Sequence, residues 1–202
     1  FKSYADMLCG RIDSVQVMFP DGDVSYVEAI YKNNAIAEYF NGRLADTVAE
    51  ELISSGRKLR ILEIGAGTGS STAAVLCRSD ITDRIEEYCF TDISAKFLNY
   101  GESEFGKKYP FMKFEILNIE DQPKAPFKSG SFDIIIATNV LHATHKIKNT
   151  LKNSAYLLAD GGKIMINEVV RYNLFSDLTF GTLDGWWMFD DPENRMEGTP
   201  VL

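Results

Sequence analysis

LRILEIGAGTGS, residues 59–70, is a short apolar run that stops on three glycines set every second residue. The run Leu59 to Ile64 has the length and continuity of a strand covered on both faces. Gly65, Gly67 and Gly69 directly behind it let main-chain N–H groups come close to a ligand, and a helix predicted from Ser70 aims its N-terminus at the same place. A nucleotide-like ligand is implied. A dinucleotide fingerprint, G-x-G-x-x-G, needs its third glycine one residue beyond Gly69, where Ser70 stands, so the match to NAD is imperfect.

The same alternation continues outward from this stretch. Strands are predicted at Tyr88 to Thr91, Met112 to Leu117, Phe132 to Thr138 and Lys163 to Val169, helices at Ala95 to Gly106 and Lys146 to Leu158, and a loop around Pro123 and Pro126. Five strands alternating with helices imply an α/β fold with a mostly parallel sheet and right-handed crossovers. Asp160-Gly161-Gly162 reads as a tight turn before the last strand. Upstream, Ile36, Phe40, Leu44, Val48 and Leu52 form one stripe of a helix, or of two broken ones, between Val27 and Ser54, with Gly56 as its stop. Past Val169 the chain turns to aromatics, Gly and Asp without a clean strand, as expected of a lid or an acyl-facing wall.

Composition narrows the partners. The chain has 202 residues, a size at which one domain buries a substantial core. A net charge of −8 opposes binding by phosphate neutralisation, which excludes nucleic acid as the expected substrate. Cys9, Cys77 and Cys89 are odd in number and lack CxxC spacing, so neither a disulfide framework nor a zinc site is expected, no metal is required, and a reducing cytoplasm fits. No apolar run is long enough for a membrane span, and no signal layout opens the chain.

Four strand ends carry the candidate chemistry. The glycine loop offers Glu63, Gly65, Ala66, Gly67 and Gly69. Asp92, followed by Ile93, stands where a carboxylate accepts from both ribose hydroxyls. Asn118 and Ile119 follow the third strand, and the alternative for Asp92 and Asn118 is that they merely cap the helices that follow. After the fourth strand, Asn139 leads into Val-Leu-His142-Ala-Thr-His145, and the fifth strand runs out at Asn167-Glu168. Neighbouring strands would let Glu168 fix the tautomer of His142 and leave its other nitrogen free to take a proton. A capping or core histidine is the alternative.

The loop E-x-G-x-G-x-G resembles motif I of class I methyltransferases, whose sheet is Rossmann-like and whose ligand is S-adenosylmethionine. Met18 to Gly22, Glu28 to Tyr31, Glu38 to Asn41, Phe90-Thr-Asp-Ile-Ser94, Asn139-Val-Leu-His-Ala-Thr144, Asn167-Glu168 and Gly181 to Trp187 are similar, more narrowly, to methyltransferase domains embedded in polyketide synthases, above all the carbon-methylating kind. The family pattern has Asp where Asn118 stands. The resemblance implies a His142–Glu168 catalytic dyad, adenosyl contacts at the loop, Asp92, Ile93, Asn118, Ile119 and Asn139, and substrate-facing positions at Tyr31, Tyr39, Asn41 and Trp186, with Trp187 in the lid. His145 is read as a helix-start residue.

The implied organisation is a helical lid or substrate region over 1–56, the cofactor-binding core over 57–170 and an aromatic lid segment over 171–202. Class I methyltransferases usually add two further strands, so the resemblance, together with Phe1 in place of Met, suggests a piece of a larger megasynthase. The expected substrate is a β-ketoacyl group on the phosphopantetheine arm of an acyl carrier protein, methylated at its α-carbon in polyketide biosynthesis. O-methylation of a β-hydroxyl or enol, a non-catalytic spacer domain and a NAD-dependent oxidoreductase are the rivals.

Overall fold

The computed structural model describes residues 2–20 and 34–202. Strands β1 (Leu59–Ile64), β2 (Ile85–Asp92), β3 (Met112–Ile116), β4 (Phe132–Thr138) and β5 (Leu158–Asn167) pair in the order β3-β2-β1-β4-β5, every ladder parallel. The order reverses between β1 and β4, which opens a crevice at their carboxyl ends, where open α/β sheets hold ligands. Among the described residues the α-helices are α1 (Tyr4–Leu8), α2 (Ser14–Met18), α3 (Ala35–Ser54), α4 (Ser70–Leu76), α5 (Ala95–Gly101), α6 (Ile147–Leu157) and α7 (Leu174–Thr179).

The buried positions of the central strands are mainly apolar because both faces of the sheet are covered. Successive side chains point to opposite sides, so Ile61, Tyr88, Phe90, Ile134 and Ile136 join one core with Leu44, Val48 and Leu52 of α3. Leu62, Ile64, Cys89 and Ile135 join the other with Leu157 of α6. Burial pushes the Cys89 thiol up to about 12, whereas Cys9 and Cys77 are exposed and free. No helix among the described residues is long and apolar enough to cross a membrane.

Two expectations shift, the buried length of the α3 stripe and the turn before β5, while the helix start near Val27 lies outside the described residues. Helix α3 begins at Ala35, where Asn34 Oδ1 accepts from the Ile36 and Ala37 N–H groups, and the residues from Val27 to Asn33 lie outside the described part. Its stripe is dry only in part: Leu44, Val48 and Leu52 are buried, but Ile36 is 72% and Phe40 51% exposed. Burial on α3 begins at Asn41, so periodicity found the face but not how far along it the core extends. At the other end of the sheet, β5 starts immediately after α6, and Asp160-Gly161-Gly162 forms a bulge inside the strand rather than a turn before it. Pairing jumps from Phe132↔Leu158 to Ile134↔Lys163 across it. The strand then stops at Asn167, which releases Glu168 to turn inward.

Two glycines differ sharply in what they tolerate. A Cβ at Gly162 would lie 2.8 Å from the Asp133 carbonyl oxygen, whereas one at Gly42, inside α3, meets nothing. Gly162→Ala should therefore cost about 1–3 kcal/mol by overpacking, and Gly42→Ala should add about 1 kcal/mol through helix propensity. Urea unfolding of both variants measures the opposite signs.

Candidate active site

Strand pairing builds the first part of the site. Thr138 and Asn167 are in register, so the residues after them emerge side by side. Asn139 has φ of 53° and donates its N–H to Asn167 O at 2.8 Å, a left-handed step that carries the chain across the end of β5. The next residues enter a 3₁₀ turn, Leu141–Ala143, that holds His142. Glu168, with its side chain 2% exposed, sits beneath that turn. Its Oε1 lies 2.6 Å from His142 Nδ1, and its Oε2 accepts from the N–H groups of Val140 and Leu141, both at 2.9 Å. A carboxylate that only accepts requires the proton on Nδ1, which leaves Nε2 as the basic nitrogen. Trp186 covers the imidazole at 5.1 Å between ring centroids, and Phe180 stacks on Trp186 at 5.9 Å.

The glycine loop forms the second part. Gly65, Gly67 and Gly69 have φ of 60°, 54° and 72°, a sequence of left-handed steps closed to most side chains. Ala66 N–H donates to Thr91 O, tying the loop to the end of β2. Asp92 Oδ2 accepts from Gly67 N–H at 3.0 Å and Oδ1 from Ser94 N–H at 2.8 Å. Burial pushes the Asp92 carboxyl up, against the opposing pull of those N–H groups. Each oxygen keeps a lone pair for a further donor such as a hydroxyl. Ile93 stands 73% exposed beside it.

Loop and turn touch. A Cβ on Gly65 would fall 2.7 Å from Val140 Cγ2, whereas over Gly67 the nearest atom is 3.9 Å away, so the loop is tight against the histidine turn and open above. That open cradle, with a carboxylate beside it and no Lys or Arg between Glu63 and Ser70, fits an adenosyl group carrying a cationic sulfonium better than a pyrophosphate.

The remaining candidates are placed unevenly. Glu63 lies beneath the loop, its Oε2 accepting from the Thr72 hydroxyl at 2.5 Å and the Tyr88 hydroxyl at 2.6 Å. Asn118 is exposed and spends its amide locally, accepting from Glu120 N–H and donating to Asp121. Ile119 points into the core. Asn41 is buried, its Oδ1 accepting from Asn167 Nδ2 at 3.3 Å with the Ser71 hydroxyl 3.2 Å away, while Tyr39 is 63% exposed. Tyr31 lies outside the described residues. Trp187 is half-exposed and donates its Nε1–H to Gly181 O.

Three residues that the sequence did not single out hold the loop around His142. Glu120 accepts from His145 N–H at 2.6 Å and faces the His145 ring at 3.0 Å, and these contacts hold the imidazole above its ordinary value. His145 therefore pairs with Glu120, while the first helical N–H, that of Ile147, goes to Asp191 at 2.8 Å. Arg195 meets Asp191 at 2.6 Å. The i,i+4 spacing of the last two was visible, but nothing in DDPENR distinguished it from a surface pair.

Residues 62–164, half of the chain, match the family described as a methyltransferase domain. The chain is 39% identical to polyketide synthase PksR of Bacillus subtilis strain 168, a match that covers all of this chain and 8% of that protein. Among solved structures it resembles the DszA carbon methyltransferase, at 37% identity and a TM-score of 0.89, covering 100% of this chain and 53% of that one. It also resembles the trans-methyltransferase CalH in complex with SAH, at 31% identity and a TM-score of 0.79, covering 100% of this chain and 54% of that one. The chain thus spans a small fraction of this curated relative and about half of the solved neighbours.

The buried Glu63 carboxyl makes stability depend on pH. Burial, opposed by the bonds from Thr72 and Tyr88, raises it to about 7, above the unfolded value of about 4.3. The folded state therefore holds this proton more tightly, a gain that is full below the unfolded value and lost as pH rises to about 7. Glu63→Gln removes the titration and should lose less stability than the wild type between about pH 5 and 8, by an amount on the order of 2–3 kcal/mol. Urea midpoints across that range test it, and parallel curves would refute it.

Proposed function

Because the chain belongs to the methyltransferase domain family, we propose that it methylates the α-carbon of a β-ketoacyl thioester carried on the phosphopantetheine arm of an acyl carrier protein, within a polyketide synthase. Its cofactor is S-adenosylmethionine, which fits the cradle of Gly65, Gly67, Gly69 and Asp92. The observation that carries the reading is the His142–Glu168 pair at 2.6 Å, placed next to the glycine loop through Val140. The PksR and DszA names agree with it, the first a polyketide synthase and the second a carbon methyltransferase.

The proposed chemistry asks little of the protein beyond placement and one proton transfer. His142 Nε2 takes a proton from the carbon between the two carbonyls, which breaks the C–H bond and leaves the electron pair in the enolate. Glu168, bonded to Nδ1–H, stabilises the imidazolium that forms. When bound, S-adenosylmethionine supplies a methyl on a positive sulfur, which the enolate carbon takes up as the S–C bond breaks and a neutral thioether departs. Trp186, backed by Phe180, covers the imidazole and keeps bulk water from it. The glycine loop, abutting the turn of His142, holds the reactants at one place, where orientation lowers the barrier.

His142→Ala should reduce methyl transfer by about 10²- to 10⁴-fold while calorimetric affinity for S-adenosylhomocysteine is retained. Unimpaired turnover would remove the histidine from the mechanism. Offering β-keto and β-hydroxy carrier thioesters side by side, and locating the added methyl by mass spectrometry, tests the substrate. Methylation on oxygen would replace the carbon reading, and absence of both cofactor binding and turnover would leave a spacer domain.

A further inference from the structure

Arg195 lies near the end of the 171–202 segment, far in sequence from His142, yet its side chain is fully buried. Nε donates to Asp191 Oδ1 at 2.6 Å. Nη1 donates to the carbonyl oxygens of His142 and Pro200, both at 2.9 Å, and Nη2 to that of Thr144 at 2.5 Å. The ring of Phe189 lies 4.9 Å from the guanidinium carbon. Asp191 uses its second oxygen on Ile147 N–H. One ion pair therefore brackets the segment from His142 to Ile147, gripping its carbonyls with the cation and its last N–H with the anion. Burial alone would raise the Asp191 carboxyl, but the bonds from Arg195 and Ile147 outweigh it and hold the group below the usual carboxylate range.

We propose that Arg195, oriented by Asp191, is a positioning residue for the base: it fixes the main chain on both sides of Ala143 so that His142 meets Glu168 and the acidic carbon together. The proposal rests on the function assigned above. A buried ion pair gives little net stability over apolar packing, so what this one provides is placement of the groups it bonds. Glu168 fixes the imidazole from beneath, through the ring and the Val140 and Leu141 N–H groups. Arg195 fixes the opposite end of the same residue, through its carbonyl. Only a planar fork can serve this arrangement, because the donors must diverge toward an acid and three carbonyls; an ammonium radiates from a single point.

The test uses the full chain with Arg195→Lys and Asp191→Asn, read in two ways. In turnover of the β-ketoacyl thioester, kcat should fall by on the order of 10²-fold for Arg195→Lys, the cost of a misplacement near 1 Å, with KM and S-adenosylhomocysteine affinity unchanged. Asp191→Asn should lower kcat in the same direction but less. In proton NMR, the downfield resonance of His142 Nδ1–H bonded to Glu168, identified by its absence from His142→Ala, should broaden or vanish in Arg195→Lys although the rest of the spectrum stays folded. A folded Arg195→Lys with wild-type kcat and an unaltered resonance overturns the proposal. So does a fall in kcat matched by equal losses of thermal stability and S-adenosylhomocysteine affinity, which would mark Arg195 as general scaffolding. If Arg195→Lys does not fold, Asp191→Asn carries the same two readouts, and the same outcomes support or overturn the proposal. A wild-type chain inactive on this thioester would remove the proposed function, while the resonance comparison would still decide whether Arg195 places the imidazole.

Discussion

A carboxylate taken out of water has to be surrounded by donors, and Glu168 gathers two main-chain N–H groups and a ring nitrogen from one turn, with the N–H of Val169 beside them. That requirement organises the crevice. It bends the chain leaving β4 over the end of β5, through the left-handed Asn139, and it aims His142 inward. The same turn lays Val140 on Gly65, so the glycine loop and the basic nitrogen share a boundary. Without the inward turn of Glu168 after Asn167, the Val140 and Leu141 N–H groups and the His142 ring would lose their shared acceptor.

Glu63 makes an instructive contrast, since it is also a glutamate almost sealed from solvent at the carboxyl end of the sheet. Its donors include the hydroxyls of Thr72 and Tyr88, and its carboxyl rises to about 7. Hydroxyls can rotate to serve a neutral acid or an anion, whereas main-chain N–H groups can only donate. Partner chemistry thus separates two similar residues into different duties, Glu63 as a packed support beneath the loop and Glu168 as the partner of an imidazole.

The sheet was legible in the sequence because its strands centre on short apolar stretches such as Ile61-Leu62 and Ile134-Ile135-Ile136, bounded by glycine or polar residues, and parallel order follows from the alternation with helices. The cradle was legible for a related reason, since few folds place three alternate glycines directly after a strand. What stayed hidden depended on distance. Whether Ile36 and Phe40 are dry depends on how much of α3 the core reaches, and periodicity carries no information about length of contact. Asp160-Gly161-Gly162 has the composition of a turn, and only pairing with β4 makes it a bulge. Asn118 was read toward a ligand, whereas its side chain bonds Glu120 and Asp121. Arg195 looked like half of a local pair with Asp191 because the carbonyls of His142 and Thr144 that it also holds lie some fifty residues away, and a carbonyl has no letter in a sequence.

Cys89 has one further consequence. Its strand β2 is paired on both sides by β1 and β3 and its sulfur is packed in the core on one face of the sheet, and with a thiol driven up to about 12 it has neither access nor the thiolate form that alkylating reagents consume. Once Cys9 and Cys77 are replaced by serine, the chain carries a single latent label site that becomes reactive only when the central strands separate. The rate of maleimide capture would then count whole-sheet openings directly, independent of ligand, turnover or any spectroscopic signal from the crevice.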